Sequence, residues 1–180
     1  MKTALLVATG CLAMSSTASA GGYAGLALGT EPGINDQFSQ DVATPVGRSL
    51  RGLGGYRFNN NLAIEGALNG FSVLTKHIGE QNMYQLSVAL KFNLPLGNHF
   101  EAFGRAGVER TWLNLDDPSA DLSGNGFLLG AGFEYRLDQA IGHAAAIFVD
   151  YNVHHVTLDA TRFQKDATTG IWGLGFIVGF

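Results

Sequence analysis

Glu65, Lys91, Arg105, Glu134, Asp150 and His154 are titratable residues set among aromatic, aliphatic and small ones, as in Ala63-Ile64-Glu65-Gly66-Ala67 and Ala89-Leu90-Lys91-Phe92. Only 14% of the chain is Asp, Glu, Lys or Arg, against about 25% in an ordinary soluble domain. Charges in such surroundings must be paired, because an isolated ion away from water is costly. Glu65 follows closely on Asn59-Asn60-Asn61 and Lys91 closely precedes Pro95, so the two are expected at similar depth on neighbouring segments, able to meet. Arg105 and Glu134 are expected to stand in the same relation. Asp150 and His154 share a face by parity, and His154 is expected to hydrogen-bond Asp150. Such pairs make either a static plug or the gate of a narrow ion path. Nucleophilic chemistry needs a hydroxyl activated by a histidine that an acid orients. His155-Val156-Thr157-Leu158 offers only a threonine, so no catalytic residues are assigned. His77, His99 and His143 are scattered and suggest no metal site; no cofactor is expected.

The elements that carry these residues alternate with a period of two. Tyr84, Leu86, Val88, Leu90, Phe92 and Leu94 alternate with Gln85, Ser87, Ala89, Lys91 and Asn93. Phe127, Leu129, Ala131, Phe133 and Tyr135 alternate with Leu128, Gly130, Gly132 and Glu134. This is the period of a strand. The glycines of Thr169-Gly170-Ile171-Trp172-Gly173-Leu174-Gly175 would each cost a helix about 1 kcal/mol. Tight turn signals at 59–61, 95–98 and 138–142 alternate with longer polar stretches near 30–48, 75–82, 114–124 and 156–167. Eight strands follow, at about 22–30, 48–58, 62–74, 83–94, 99–113, 124–137, 143–156 and 168–180.

Met1-Lys2, the apolar run Ala4 to Ala13 and Ala18-Ser19-Ala20 form the three regions of a secretory signal peptide, cleaved before Gly21. Residues 1–20 are therefore signal peptide and 21–180 a single domain. Cleavage removes Cys11, the only cysteine, and takes the formal charge from −4 to −5 through loss of Lys2. That charge gives no reason to expect nucleic acid, and no later apolar run is long enough for a transmembrane helix.

The large face of each strand is aromatic and aliphatic; the other is glycine, alanine and charge. A barrel of eight strands has an interior that side chains fill, which suits the small face, whereas rows of Phe, Leu and Trp suit lipid. A sheet in lipid must close on itself. The fold expected is all-β: a closed, eight-stranded, antiparallel up-and-down transmembrane β-barrel with short turns at one end and long loops at the other. Outward aromatics gather at the strand ends: Tyr56, Phe58, Phe92, Phe100 and Tyr135 near the tight turns, Tyr84, Trp112 and Trp172 near the long loops. These are two interfacial girdles. Arg110, outward beside Trp112, is placed to meet a lipid phosphate.

Tyr23 to Gly29 (YAGLALG), Gly54 to Leu68 (GGYRFNNNLAIEGAL), Ala89 to Leu96 (ALKFNLPL), Phe103 to Gly107 (FGRAG) and Gly130 to Leu137 (GAGFEYRL) together resemble the small outer-membrane β-barrel family of the OmpA N-terminal domain and related porin-family proteins. The resemblance implies that Glu65, Lys91, Arg105 and Glu134 fall on interior charged positions, with Asp150 a further acid, in a salt-bridged plug proposed to gate. The family's first-strand lysine is Ala27 here and its seventh-strand arginine is Phe148. Nothing after Phe180 would supply a peptidoglycan-binding domain. Phe176, Val178 and Phe180 resemble the C-terminal signal read by the outer-membrane assembly machinery. The implied location is the outer membrane of a Gram-negative envelope. The implied partners are membrane lipid and lipopolysaccharide, assembly machinery with periplasmic chaperones, and a host or surface ligand on the loops. The function expected is that of a structural barrel with four surface loops for adhesion or environmental contact. A narrow gated channel and a lipid A-modifying enzyme are the alternatives.

Overall fold

The computed structural model describes residues 21–34, 43–75, 79–97, 99–114, 122–137, 144–160 and 163–180. The expected signal peptide, His77 and His143 lie outside them. The strands are β1 (Gly21–Gly29), β2 (Gly33–Ile34), β3 (Ala43–Arg57), β4 (Leu62–Thr75), β5 (Gly79–Gly97), β6 (Phe100–Asn114), β7 (Leu122–Arg136), β8 (Ala145–Ala160) and β9 (Phe163–Gly179). All neighbours pair antiparallel, β1 closes on β9, and β2 continues the β1 edge along β9. The result is one closed barrel of eight staves. Among the described residues no helix is long and apolar enough to cross a membrane.

The two faces are inverted relative to a soluble protein. Leu26, Val108 and Leu174 point outward with 65%, 68% and 62% of their surface exposed, while Lys91, Glu134 and Asp150 are buried inside. Such an exterior is stable only against hydrocarbon. A tight turn holds the β3–β4 hairpin. The Asn59 side chain accepts bonds from the backbone N–H groups of Asn61 and Leu62, both at 2.9 Å, an Asx turn of the kind asparagine favours.

Register sets the tilt. Tyr23 faces Gly55, and the ladder then runs through Glu65, Ala89, Gly107, Leu128, His154 and Thr169 to Ile34. One circuit therefore returns roughly ten residues further along the chain, the stagger that a closed, tilted barrel requires.

Two expected loops prove shorter. β4 runs to Thr75 and β5 starts at Gly79, while β8 runs to Ala160 and β9 starts at Phe163. Lipid-facing alternation reports only the stretch within the membrane; above it, polar residues pair as strands. Thr157 donates to Asp166 at 2.8 Å and His155 Nδ1 lies 2.8 Å from Thr168 Oγ1, both across β8 and β9.

Inside, Tyr23, Leu53, Phe103, Phe148 and Ile177 form an apolar cluster. Toward the long-loop end, Phe71, Met83, Val156 and Leu158 are buried. The lumen is thus layered: that cluster lies between two charged layers, with further apolar side chains toward the long-loop end.

Candidate functional site in the barrel lumen

Four strands deliver one connected chain of charge. Arg105 (β6) contacts Glu65 (β4) at 2.9 Å and Asp150 (β8) at 3.3 Å, and Asp150 takes Arg51 (β3) at 2.6 Å. Tyr23 donates to the other Glu65 oxygen at 3.1 Å. A second chain lies nearer the tight turns. Lys91 (β5) meets Glu134 (β7) at 2.6 Å; Arg57 lies 3.4 Å from both Glu134 and Glu101, and Arg136 lies 3.5 Å from Glu101. Lys91 Nζ also stands 4.4 Å from the Phe103 ring centroid, a cation–π contact strengthened by the dry setting. Apart from both chains, His154 Nδ1 lies 2.6 Å from Glu109 Oε2.

The expected partners are therefore exchanged. Glu65 holds Arg105 rather than Lys91, and Glu134 holds Lys91 rather than Arg105. Lys91 and Arg105 are direct register partners, as are Glu101 and Glu134. Like charges thus lie side by side, and Lys91, Arg105 and Glu134 reach past the neighbouring strand for their opposites, because the tilt shifts residues of equal height out of register. His154 holds Glu109 rather than Asp150. Four residues along a strand is about 13 Å, too far for a hydrogen bond.

Small residues make the crossings possible. A Cβ on Gly173 would lie 2.5 Å from Asp150 Oδ1 and 3.1 Å from an Arg51 nitrogen. One on Gly130 would lie 2.9 Å from Arg105 Cγ and would strike Asn152 Oδ1. These glycines supply space rather than conformational freedom.

Arg51, Arg57, Glu101 and Glu109 are site residues that the sequence reasoning missed. Parity carries the signal: Arg51 and Arg57 share the face of Leu53 and Gly55, and Glu101 and Glu109 share that of Arg105. Arg51 also stands over Phe148, its guanidinium 5.5 Å from that ring while it binds Asp150. Two cavities of about 10 Å³ each adjoin Arg51, Asn69 and His154. Each has room for about one water.

On the exterior, Tyr56 and Phe58 make an edge contact at 5.5 Å and Phe100 packs on Tyr135 at 4.8 Å, with Phe92 exposed on β5. Tyr84 is the register partner of Trp112. Trp172 packs on Tyr151 at 4.9 Å and lies well inside β9, because that strand rises beyond the membrane. Phe176, Val178 and Phe180 all point outward, and Phe180 N–H donates to Gly22 at the seam. His155 packs on Phe127 and binds Thr168, while Thr157 binds Asp166. Among the described residues no carboxylate is recorded on the His155 ring, so no hydroxyl–imidazole–carboxylate relay is seen there. Among the described residues no group of His, Cys, Asp and Glu is placed to hold a metal.

The same architecture recurs among solved structures. Neisserial surface protein A shares 15% identity at a TM-score of 0.67, covering 89% of this chain and 99% of that one. OprG from Pseudomonas aeruginosa shares 16% at 0.55, covering 91% and 96%. Ail, the attachment invasion locus protein of Yersinia pestis, shares 14% at 0.55, covering 89% and 99%. These likenesses are of fold. No curated protein sequence matches this chain. The family described as outer membrane protein beta-barrel domain matches residues 3–180. With a closed barrel, a lipid-compatible exterior and a charged interior, the chain belongs to that outer-membrane β-barrel family.

Proposed function

We propose that the protein is a structural barrel of the Gram-negative outer membrane whose lumen is closed by ion pairs and whose long connections contact host or environmental surfaces. The filled lumen carries this reading. Glu65, Arg105, Asp150 and Arg51 form a continuous chain across it, Lys91–Glu134 forms another crossing, and the adjoining cavities measure about 10 Å³ each. Water or ions would need several buried pairs to break before a path opened, each break leaving an uncompensated charge. The connections between β1 and β3, β4 and β5, β6 and β7, and β8 and β9 all leave the end opposite the tight turns. A rigid scaffold that presents loops together is a common arrangement for recognition. Ail, which has this fold, is described as an attachment invasion locus protein and was solved with the heparin analogue sucrose octasulfate. The outward C-terminal residues Phe176, Val178 and Phe180 suit recognition by the assembly machinery and its chaperones. His155 and Thr157 have separate partners, so lipid-modifying chemistry forms no part of the proposal.

Planar-bilayer recording tests the closed lumen. Wild type is expected to give no discrete conductance steps; reproducible steps that change in Glu65→Ala would establish the gated-channel alternative instead. Replacing residues 35–42, between β2 and β3, with a Gly/Ser linker tests surface contact. Binding to cells or matrix should fall while the barrel stays folded; unchanged binding removes the adhesive part of the proposal.

A further inference from the structure

Arg110 is a cation that the lumen does not use. It lies exposed on the outward face of β6, with its guanidinium carbon 5.8 Å from the Trp112 ring centroid. No ion pair joins it to a carboxylate among the described residues. Its register neighbours are Leu86 on β5 and Asn125 on β7, and Asn125 is also exposed. Phe100, in the girdle at the tight-turn end, lies on the same strand. At about 3.3 Å per residue and a tilt of about 40°, Arg110 stands roughly 25 Å above it, the height of an outward apolar band. Val108 lies just inside that edge and Trp112 just outside.

A guanidinium facing the bilayer without a counter-ion is costly. At this height in an outer leaflet the available anion is a lipid phosphate, whose oxygens match the planar fork of arginine. We infer that Arg110, with Trp112 holding its plane and Asn125 donating beside it, forms a headgroup site for a phosphorylated lipid of the outer leaflet. The lipid's acyl chains run down Leu86, Val88, Val108 and Phe127, all exposed on the outward face. The site goes beyond the structural role proposed above and is independent of whether the loops bind anything.

The test uses protein folded in dodecyl maltoside, a detergent without phosphate, titrated with dioleoyl phosphatidic acid while native mass spectrometry follows bound lipid. Wild type should bind about tenfold more tightly than Arg110→Gln. Arg110→Lys should fall between, and Arg48→Gln, an exposed control on β3, should match wild type. Equal affinity of wild type and Arg110→Gln would overturn the site. Equal retention of dioleoylglycerol would show that the apolar face alone holds lipid. Displacement by an equal concentration of inorganic phosphate would reassign the site to the free ion. Boiling-dependent gel mobility verifies each fold; if Arg110→Gln does not fold, Asn125→Leu replaces it, with weakened binding expected and unchanged binding counting against the site.

Discussion

Lys91 and Glu134 have 2% of their side-chain surface exposed and meet at 2.6 Å, so losing Glu134 strands Lys91, and losing Lys91 leaves Glu134 only its longer contact with Arg57. Lys91→Met should lower stability by about 3–5 kcal/mol, toward the smaller figure because Arg57 remains 3.4 Å from Glu134. The double substitution Lys91→Met with Glu134→Gln should recover part of that loss. Urea titration of the barrel in lipid vesicles, read by tryptophan fluorescence, measures both, and a double variant no more stable than the single one would count against the pairing. Gly173→Val tests the space argument: its side chain must displace Asp150 or Arg51, so the heat-modifiable species should largely disappear. At this scale the sequence was informative about side and silent about partner. Parity puts Glu65, Lys91, Arg105 and Glu134 inside. Whether Glu65 meets Lys91 or Arg105 depends on heights that parity does not contain.

Along each strand, the outward residues experience hydrocarbon in the middle and water at the long-loop end. Leu174→Arg, in the lipid-facing run of β9, should cost about 2–4 kcal/mol. Thr157→Ala, in the polar extension of β8 and β9, should cost under about 1 kcal/mol because it removes one cross-strand pair. The same urea titrations measure both. Near-equal losses would place the membrane boundary elsewhere on this hairpin. The extension also shows where element-level reading stopped: alternation identified the strands between Tyr84 and Phe92 or Ile147 and Val153, but ended where lipid ends. His155, Thr157, Asp166 and Thr168 look like loop composition until their pairing is seen. Deleting Phe180, which is outward at the seam and bonded to Gly22, should reduce assembled protein in cells while leaving refolding in detergent nearly intact. Equal loss in both settings would make its role one of stability rather than recognition.

As a whole, the molecule is a cylinder turned inside out, with exposed leucines and buried ions. Cell fractionation should find it in the outer membrane, and N-terminal sequencing of that material should begin at Gly21; a chain retaining Met1 would refute the expected cleavage. The sequence by itself determined the strand period, the lipid-facing and lumen-facing sets, the tight turn at 59–61 and the closed all-β architecture, because each follows from local residue type and alternation. Tertiary structure decided the ion-pair partners, the union of Arg51 and Arg105 on Asp150, and the pairing of His154 with Glu109. Those contacts depend on barrel closure with a stagger of roughly ten residues. That stagger is a property of the whole ring of strands, so no single segment could disclose which charge would stand opposite which.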